Sequence, residues 1–569
     1  MKRSSGWFVI LSVLSVLAAG LALAGQAHAA GPVTLPRAAE PEMRPPEFEL
    51  REQLQPAPEL KVPESAPARA PAGAENMLFV LKGLDIEGVT AYPREVIEGI
   101  YRKRIGTEVS LAQVYDIADQ IQRRYRKDGY FLARTIIPAQ TASEGRLRIE
   151  VLEGYISDVR VEGEAGPVTN LVKEYLKGLP ADRPLKLKSL ERYLLLTNDI
   201  PGVVAKGVLR PSPDKVGAAE LIVTVERRPF NAVLSMDNYG SSYTGTWEAA
   251  ANVSANSFTP FGENLTLSGL LSEPFDFSSK NQRVGEVRFS MHPWTNGLYF
   301  KMTASYGQSN PGGSLAPLDS IDTRLLISPA VGYPIIRSRD CNLYVEMGFD
   351  FINSDTNVFS SVPFSRDKLR VLYLTAFGDV KDEWGGTSFA SFGLREGLPV
   401  LDASQSGDPL LSRQGASGEF TTINMKLSRL QPIYGPFSLL VKAAGQYAFN
   451  EVLMDEEFGV GSLNFGRGYN PYELSEDNGV GVTGELQYTR AVKCRYLDCF
   501  QLFGFCDFGQ VWDRRTGESA SLTSAGGGLR TWFSRWLSTE LTAAQPLDES
   551  QRAGNTRNPQ VLFQAIAAF

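Results

Sequence analysis

Two hydrophobic periods follow one another along the chain and predict two kinds of structure. Between Leu78 and Arg228, helical segments with apolar residues at three- and four-residue steps alternate with short apolar strands. The segment "SLAQVYDIADQIQRRYRKDGY" is typical, since Ser110 can cap the helix and Gly129 can end it. Its apolar face comprises Leu111, Val114, Ile117, Ile121 and Tyr125.

The element order in this region is β-α-α-β-β, and it occurs twice with a period of about 75 residues. We therefore predict tandem units over residues 77–154 and 155–228. In each unit, two helices would cover one face of a three-stranded sheet, while the other face and one edge strand stay open. An open edge can accept an extended peptide by strand addition.

After Arg228 the helical period gives way to strict alternation. In "FSLLVKAAGQYAF", Phe437 and Leu439 fall on one face, and Ser438 and Lys442 fall on the other. Strands of ~10 residues with an apolar outer face and a polar inner face are typical of outer-membrane barrels. A soluble β-sandwich or propeller is the alternative. The last strand, "VLFQAIAAF", favours the barrel because a terminal aromatic strand needs a partner, which closure supplies.

The length of this region sets the number of strands. Residues 229–569, at ~21 residues per strand and connection, give about 16 strands. Short turns such as "WTNG" and "DEWGG" alternate with longer loops. The predicted fold is therefore an α+β tandem of two periplasmic units followed by a 16-stranded antiparallel transmembrane β-barrel, which has room for a channel.

The N-terminus predicts export. Residues 1–29 combine a charged start, an apolar run and a small-x-small cleavage site, which indicates a signal peptide, with an uncleaved anchor as the alternative. Residues 30–76 are rich in Pro, Ala and Glu and predict a mobile linker. One short helix around Phe48 to Leu54 is a candidate plug for the channel. Residues 30–228 would then lie in the periplasm, below an outer-membrane barrel.

Composition excludes several function classes. The formal net charge of -7 argues against a nucleic-acid partner. His28 and His292 are the only histidines, so a nucleophile with an adjacent imidazole is not expected, and we expect His292 at a surface or interface. No phosphate-binding loop motif occurs. We therefore predict no enzyme, with an outer-membrane hydrolase as the enzymatic alternative, and no cofactor.

The four cysteines predict one disulfide. Cys494 and Cys499 lie at the two ends of one predicted periplasmic turn, and a bridge between them would close a short loop and add modest stability. Cys506 should face lipid, and Cys341 lies in a distant turn. With so few histidines and cysteines this scattered, we predict no metal site.

The order of several motifs resembles the two-partner secretion transporters. "DGYFLARTIIPAQ", "GRLRIEVLEGYISDVRVEG" and "LERYLLLTNDIPGV" resemble stretches of the family's periplasmic POTRA units, and "FNAVLSMDNYGSSYTG" resembles the entry into its barrel. "GRGY" is similar to the VRGY/F motif of the sixth extracellular loop, and "FGFCDFGQVWD" to an F-x-D-x-G barrel strand. The family comprises the TpsB transporters of the haemolysin and filamentous-haemagglutinin type, within the superfamily that also assembles outer-membrane barrels.

The resemblance implies a contact inside the barrel. In this family the long loop folds back into the lumen, where its arginine meets a wall aspartate; the matching residues are Arg467 and Asp507. The site residues of this lock are Arg467, Gly468, Tyr469, Phe505, Asp507 and Gly509. Phe505, Asp507 and Gly509 share one face by period two, and lipid penalises charge, so this face should line the lumen. Gly466 stands where the motif usually has valine, which would loosen the tip. An ordinary surface loop with a solvated arginine is the alternative.

The resemblance also implies a function: export of one large secreted exoprotein, such as an adhesin, haemolysin or contact-dependent toxin. The unfolded N-terminal region of this partner would dock on the two units. Outer-membrane lipid and the barrel-assembly machinery would be further partners. A docking groove could comprise Leu190, Tyr193, Leu194, Val203 and Val204, unless the helix residues pack on their own sheet. A barrel-assembly factor and a passive porin or receptor are the alternatives, although two units favour secretion.

Overall fold

A closed barrel of 16 antiparallel strands follows two small α/β units in the computed structural model, as the alternation predicted. The structure describes residues 36–41, 60–61, 70–140, 145–273, 275, 282–462, 465–492, 494–534, 536–549 and 557–569. The predicted signal peptide and the candidate plug helix at Phe48 to Leu54 lie outside these residues. None of the described helices is long and apolar enough to cross a membrane.

The barrel strands run in sequence order around the wall, and each pairs with its neighbours in the chain. Their bounds are β10 Phe230–Asp237, β11 Glu248–Asn256, β12 Glu263–Ser272, β13 Arg283–Met291, β14 Tyr299–Ser309, β15 Ile321–Arg337, β16 Cys341–Val358, β17 Val362–Lys381, β18 Thr387–Gly397, β19 Thr421–Tyr434, β20 Phe437–Ala448, β23 Asn478–Ala491, β24 Cys499–Trp512, β25 Ser519–Phe533, β26 Leu537–Pro546 and β27 Gln560–Ala568. A hairpin of two short strands, β21 (Phe458–Val460) and β22 (Leu474–Glu476), interrupts the order inside the connection from β20 to β23.

The first and last barrel strands pair and remove the sheet edges. β10 and β27 are antiparallel, with Val233 opposite Ala568 and Asp237 opposite Gln564. The backbone of Phe569 exchanges two hydrogen bonds with that of Ala232. The terminal aromatic strand is therefore paired as the sequence analysis required.

Alternation along the strands separates a polar lumen from an apolar exterior. On β23, Leu486 is half exposed on the outer surface, whereas Glu485 and Gln487 are buried on the inner one. Cys506 is exposed between the buried Phe505 and Asp507 on β24, and so lies on the outer face as predicted. Inward-facing charges can persist only because the lumen supplies partners for them.

Unit 1 builds a small sheet beneath two helices. Its elements are β2 Leu78–Val80, β3 Gly83–Glu87, α1 Arg94–Tyr101, β4 Glu108–Ser110, α2 Leu111–Lys127, β5 Arg134–Ile136 and β6 Arg146–Leu152. β6 lies in the centre of the sheet, parallel to β3 and antiparallel to β5, while β2 and β4 form a separate pair. Ser110 and Gln113 form a capping box at the start of α2, and Gly129 has φ of +92° just beyond its end.

Unit 2 repeats the β-α-α-β-β order. Its elements are β7 Tyr155–Glu164, α3 Thr169–Leu176, α4 Leu187–Asn198, β8 Val203–Pro211 and β9 Ala218–Arg227. β9 is central, between β7 and β8. The edge strand β8 is not fully open, because the linker strand β1 (Leu60–Lys61) pairs parallel to it at Gly207 and Val208.

Unit 2 docks on the periplasmic turns of the barrel through α3 and α4. Arg337, at the end of β15, binds Asp199 with two hydrogen bonds of 2.6 and 3.0 Å. The hydroxyl of Tyr175 donates to the carbonyl oxygen of Trp294 at 2.7 Å, and Arg192 contacts the carbonyl oxygen of Pro334 at 3.3 Å. His292 is half-buried at this interface, where its carbonyl oxygen faces the hydroxyl of Tyr175, which fits its expected place. These contacts hold unit 2 against the entrance of the channel.

Most of the predicted docking groove is buried inside unit 2. Leu190 and Leu194 are 0 % and 1 % exposed and belong to the core of the unit, together with Val203. Tyr193 packs against that core, and only Val204 lies on the opposite, partly open face of β8. The helix residues therefore offer no groove in this conformation; they pack on their own sheet, which was the stated alternative, because burying them completes the core.

A piece of the linker lies inside the barrel and not in the periplasm. Residues Arg37–Ala39 form one short 3-10 turn, in which Ala38 and Ala39 are buried. The carbonyl oxygen of Ala39 accepts a 2.5 Å hydrogen bond from Ser309 on β14. Within the range 30–228 predicted for the periplasm, this short segment of the linker therefore lies in the lumen, ahead of the two periplasmic units.

The predicted disulfide is absent, since Cys494 and Cys499 are both thiols. Cys499 begins β24 opposite Ala491, and a backbone hydrogen bond from Val492 to Asp498 already closes the turn. Cys494 is exposed and turns toward its own loop, where the backbone amides of Tyr496 and Leu497 hold the pKa of its thiol below the ordinary value. The turn is thus fixed by backbone bonds without a covalent clip.

We expect Cys494 to react with maleimide without reductant, and faster than the half-buried Cys499, because thiolate fraction and exposure both favour it. Mass spectrometry of labelled peptides from the detergent-purified protein measures both rates. If either residue is labelled only after reduction, the disulfide predicted from the sequence is present after all.

Candidate functional site: a loop held in the barrel lumen

The connection between β20 and β23 folds back into the barrel. Its two legs form the β21–β22 hairpin, and the tip between them includes Phe465 and Tyr469. Val460, Phe465, Tyr469 and Leu474 form one apolar cluster with Val511 and Leu522 of the barrel wall. The loop is therefore packed as an interior element, which excludes the alternative of a solvated surface loop.

Arg467 at the tip reaches the aspartate that the sequence analysis paired with it. Its Nη2 and Nε donate to the two carboxylate oxygens of Asp507 at 2.9 and 3.0 Å, and its backbone N–H donates to the same carboxylate at 3.0 Å. Arg467 is 5 % exposed and Asp507 is fully buried. Such a two-pronged contact fixes the direction as well as the distance of the arginine.

An aromatic ring completes the arginine site. The guanidinium carbon of Arg467 lies 3.4 Å from the centre of the Phe505 ring, on the same face of β24 as Asp507. A desolvated cation–π contact contributes roughly 2 kcal/mol. Removing one member of a buried ion pair costs about 3–5 kcal/mol, since the remaining charge has no water. The ionic contact therefore dominates, and the ring adds to it.

Two further charged residues extend the site, and the sequence analysis missed them. Glu485 on β23 accepts a 2.8 Å hydrogen bond from Nη1 of Arg467 and a 2.5 Å bond from Arg530 on β25. Arg530 also binds Glu540 at 2.6 Å and stacks on Phe503 at 3.9 Å. Alternation in "GVTGELQYTR" places Glu485 on the lumen face. Its partners on other strands could be found only from the strand register.

Glycines on the barrel wall make room for the loop. A Cβ at Gly481 would lie 2.2 Å from the ring of Phe465, and one at Gly509 would lie 2.8 Å from Val460. The space at Gly509 therefore receives the loop. Gly479 lies beneath Phe458 in the same way. The signal in the sequence is the alternating glycines of "NGVGV" on the inward face.

Each of the two positions beside Arg467 requires glycine for a separate reason. Gly466 has φ of +125°, a conformation that valine cannot adopt, and a Cβ there would also lie 2.4 Å from Leu522. Gly468 passes the backbone of Pro546, where a Cβ would lie 2.8 Å from the nitrogen atom. The departure from valine at Gly466 therefore accompanies a tight turn and does not loosen the tip.

Tyr469 anchors the tip on the other side. It is 2 % exposed, and its hydroxyl donates to the carbonyl oxygen of Thr523 at 3.0 Å and accepts from the backbone N–H of Asp548 at 3.0 Å. The tip is thus bound to β24 through Arg467, and to the first part of β25 and the connection after β26 through Tyr469.

The charged groups of the site are used to bind the loop to the wall. Its charged groups are arginines and carboxylates that satisfy one another, and it contains no nucleophile with a base beside it. Among the described residues, no cluster of His, Cys, Asp or Glu could hold a metal ion. The arrangement can hold a loop in one position and release it when the ion pairs break.

Comparison with known proteins identifies the family. A family model described as "Haemolysin secretion/activation protein ShlB/FhaC/HecB" matches residues 218–531, and a model of the ShlB-type POTRA domain matches residues 79–154. The chain belongs to the ShlB/FhaC/HecB family. It is an outer-membrane transporter of the two-partner secretion type, and unit 1 is a POTRA domain.

Relatives and solved structures agree with this membership. The chain is 25% identical to the heme/hemopexin transporter protein HuxB of Haemophilus influenzae over 79% of this chain and 80% of the relative. It is 21% identical to the outer-membrane transporter CdiB of Dickeya dadantii over 85% of each chain. Its fold is similar to the solved structure of CdiB from Escherichia coli, with a TM-score of 0.73 at 20% identity, covering 91% of this chain and 96% of the other.

A more distant structure carries the same fold. BamA from Haemophilus ducreyi, in a form lacking POTRA domains 1–3, has a TM-score of 0.50 at 13% identity, covering 86% of this chain and all of the other. This chain and BamA therefore share the fold of the barrel with its preceding POTRA region.

Two glycines on β23 allow a test of whether the loop packs against the barrel wall, because only one of them contacts the loop. In G481A the new methyl group must displace Phe465, and overpacking of this kind costs about 1–3 kcal/mol, which corresponds to roughly 5- to 150-fold faster opening. We expect faster hydrogen–deuterium exchange in residues 465–474. G484A on the same strand is the control, because nothing lies within 4 Å of a Cβ there. Equal exchange in the two variants would contradict the seating.

Proposed function

We propose that this transporter exports one large exoprotein through its barrel and that the Arg467–Asp507–Glu485 contact holds the channel in its resting state. The observation that carries the proposal is the seated loop: a charged tip, buried in the lumen, is held by ion pairs and not by covalent or continuous backbone bonds. A chain in transit needs this volume, so the tip must leave the wall.

The partner would enter from unit 2, which lies against the barrel entrance. The open face of β8 presents Val204, and the rest of its edge can accept an extended segment. Because β1 already pairs with Gly207 and Val208, an incoming strand that uses this part of the edge must first displace the linker. The same linker continues from the segment inside the barrel, so docking and channel opening would be coupled through it.

Direction can come from the cargo itself. The chain carries no nucleotide-binding motif, and an exoprotein that folds outside cannot return through the channel. We propose an adhesin, haemolysin or contact-dependent toxin as the class of cargo, with the unfolded N-terminal region docking first. Outer-membrane lipid surrounds the barrel, and the barrel-assembly machinery would insert it.

Assembly of outer-membrane barrels is the second candidate function. The chain shares its fold with BamA, and a shared fold by itself does not separate assembly from export. Two periplasmic units and the match to the secretion/activation family favour export.

Arg467→Ala decides whether the lock is needed. The change leaves Asp507 and Glu485 buried without this partner and disfavours the seated loop by more than ~1.4 kcal/mol, or at least ~10-fold in the seated population. We expect secretion to fall by a similar factor, because export would then start from a channel whose loop is not positioned. The measurement compares culture-supernatant proteins of a deletion strain complemented with wild-type or variant transporter. One very large polypeptide should disappear in the deletion strain and with R467A.

Arg366→Ala serves as the matched control, because Arg366 forms an exposed ion pair with Asp355 on the extracellular side. Heat-modifiable migration in gels checks that each barrel has inserted. Normal secretion by R467A would show that the contact of Arg467 with Asp507 and Glu485 is not needed for export. A general loss of outer-membrane barrels in the deletion strain, with no single secreted protein missing, would support the assembly function instead.

A further inference from the structure

One arginine outside the lumen lock lies among four carboxylates at the extracellular end of the barrel. Arg413 belongs to the connection between β18 and β19, and its side chain is 15% exposed. Its guanidinium lies 2.5 Å from Asp477, 2.5 Å from Asp513, 3.2 Å from Glu476 and 3.6 Å from Glu457. One cation therefore neutralises acids that belong to several loops.

Three of the carboxylates come from the two legs of the long loop, and the fourth comes from the connection between β24 and β25. Glu457 precedes β21, Glu476 ends β22 and Asp477 follows it, so Arg413 bridges the base of the loop that carries Arg467. Asp513 follows β24 and caps its own turn by accepting from Arg515. The three connections meet at this one guanidinium.

Asp477 is the centre of the arrangement. It is fully buried, and its Oδ1 accepts from Arg413 and from the backbone N–H of Val452 at 2.8 Å. Its Oδ2 accepts from the backbone N–H of Arg514 at 2.8 Å. Loss of Arg413 would leave a buried carboxylate held only by neutral donors, beside other acids.

An apolar layer lies beside these charges. The side chains are contributed by the barrel wall and by the same connections, and they are Ile352, Leu369, Val371, Ala416, Phe420, Ala448, Val452 and Leu453. Phe420 and Val452 come from the connections themselves. The two connections are thus packed against the barrel wall at its extracellular end, and this packing is separate from that at the loop tip.

We propose that Arg413 is a positioning residue that clasps the base of the loop and keeps the extracellular mouth closed, independently of the Arg467 lock. The loop is then held at two levels, at its tip by Asp507 and at its base by Arg413. Breaking one contact leaves the other in place, and passage of a chain requires both to open. The inference rests on the proposed channel function.

Ion conductance tests the clasp without any cargo. Full-length wild-type and Arg413→Ala proteins are placed in planar lipid bilayers, and the fraction of time spent in open states is recorded. We expect R413A to raise open-state occupancy about 10-fold or more, because the acids repel one another and favour the separated loops. Arg413→Lys keeps the charge but cannot bridge two carboxylates with a fork, so an intermediate occupancy is expected.

Arg366→Ala is again the control, since its exposed pair lies outside the clasp, and wild-type occupancy is expected. The double variant R413A/R467A should open more than either single variant. Occupancy at the wild-type level in both R413A and R413K would overturn the clasp, and R413K also decides the question if R413A fails to insert. If R413A raises the open-state occupancy as expected but the wild-type transporter secretes no large exoprotein, only the proposed function is contradicted.

Discussion

A buried guanidinium inside a membrane barrel is the constraint on which the rest of the structure depends. Arg467 has left water, and it is tolerated only because Asp507, Glu485 and the face of Phe505 surround it. An isolated buried charge would be far too costly. The loop is therefore either fully seated or fully released, since partial withdrawal leaves charges without partners.

This constraint explains the glycines of the wall and of the loop. Side chains of the loop need space on an inner surface that strands would otherwise fill, and Gly479, Gly481 and Gly509 supply it. The arginine can be placed to within hydrogen-bond distance only if the backbone approaches closely, as it does at Gly468. Packing and electrostatics thus select the same position of the tip.

The periplasmic side is organised around the same channel. Unit 2 is fixed to the barrel turns through Asp199 and Arg337, while the linker joins β8 to the barrel interior. The described part of the long loop is held to the wall by side-chain ion pairs and packing, whereas neighbouring barrel strands are joined by backbone ladders. Changes in the channel can therefore occur in these segments while the barrel wall stays intact.

The sequence by itself determined the barrel, its number of strands and the tandem of small units, because period two, helical periodicity and segment length can be read along the chain. It also placed Asp507 on the lumen face, but the pairing of Arg467 with Asp507 came from the resemblance to the family's motifs. Only the tertiary structure decided that Leu190 and Leu194 are core residues, that Cys494 and Cys499 stay thiols, and that Glu485 and Arg530 join the lock. Alternation assigns a residue to a face, but register and loop path choose its neighbour across strands.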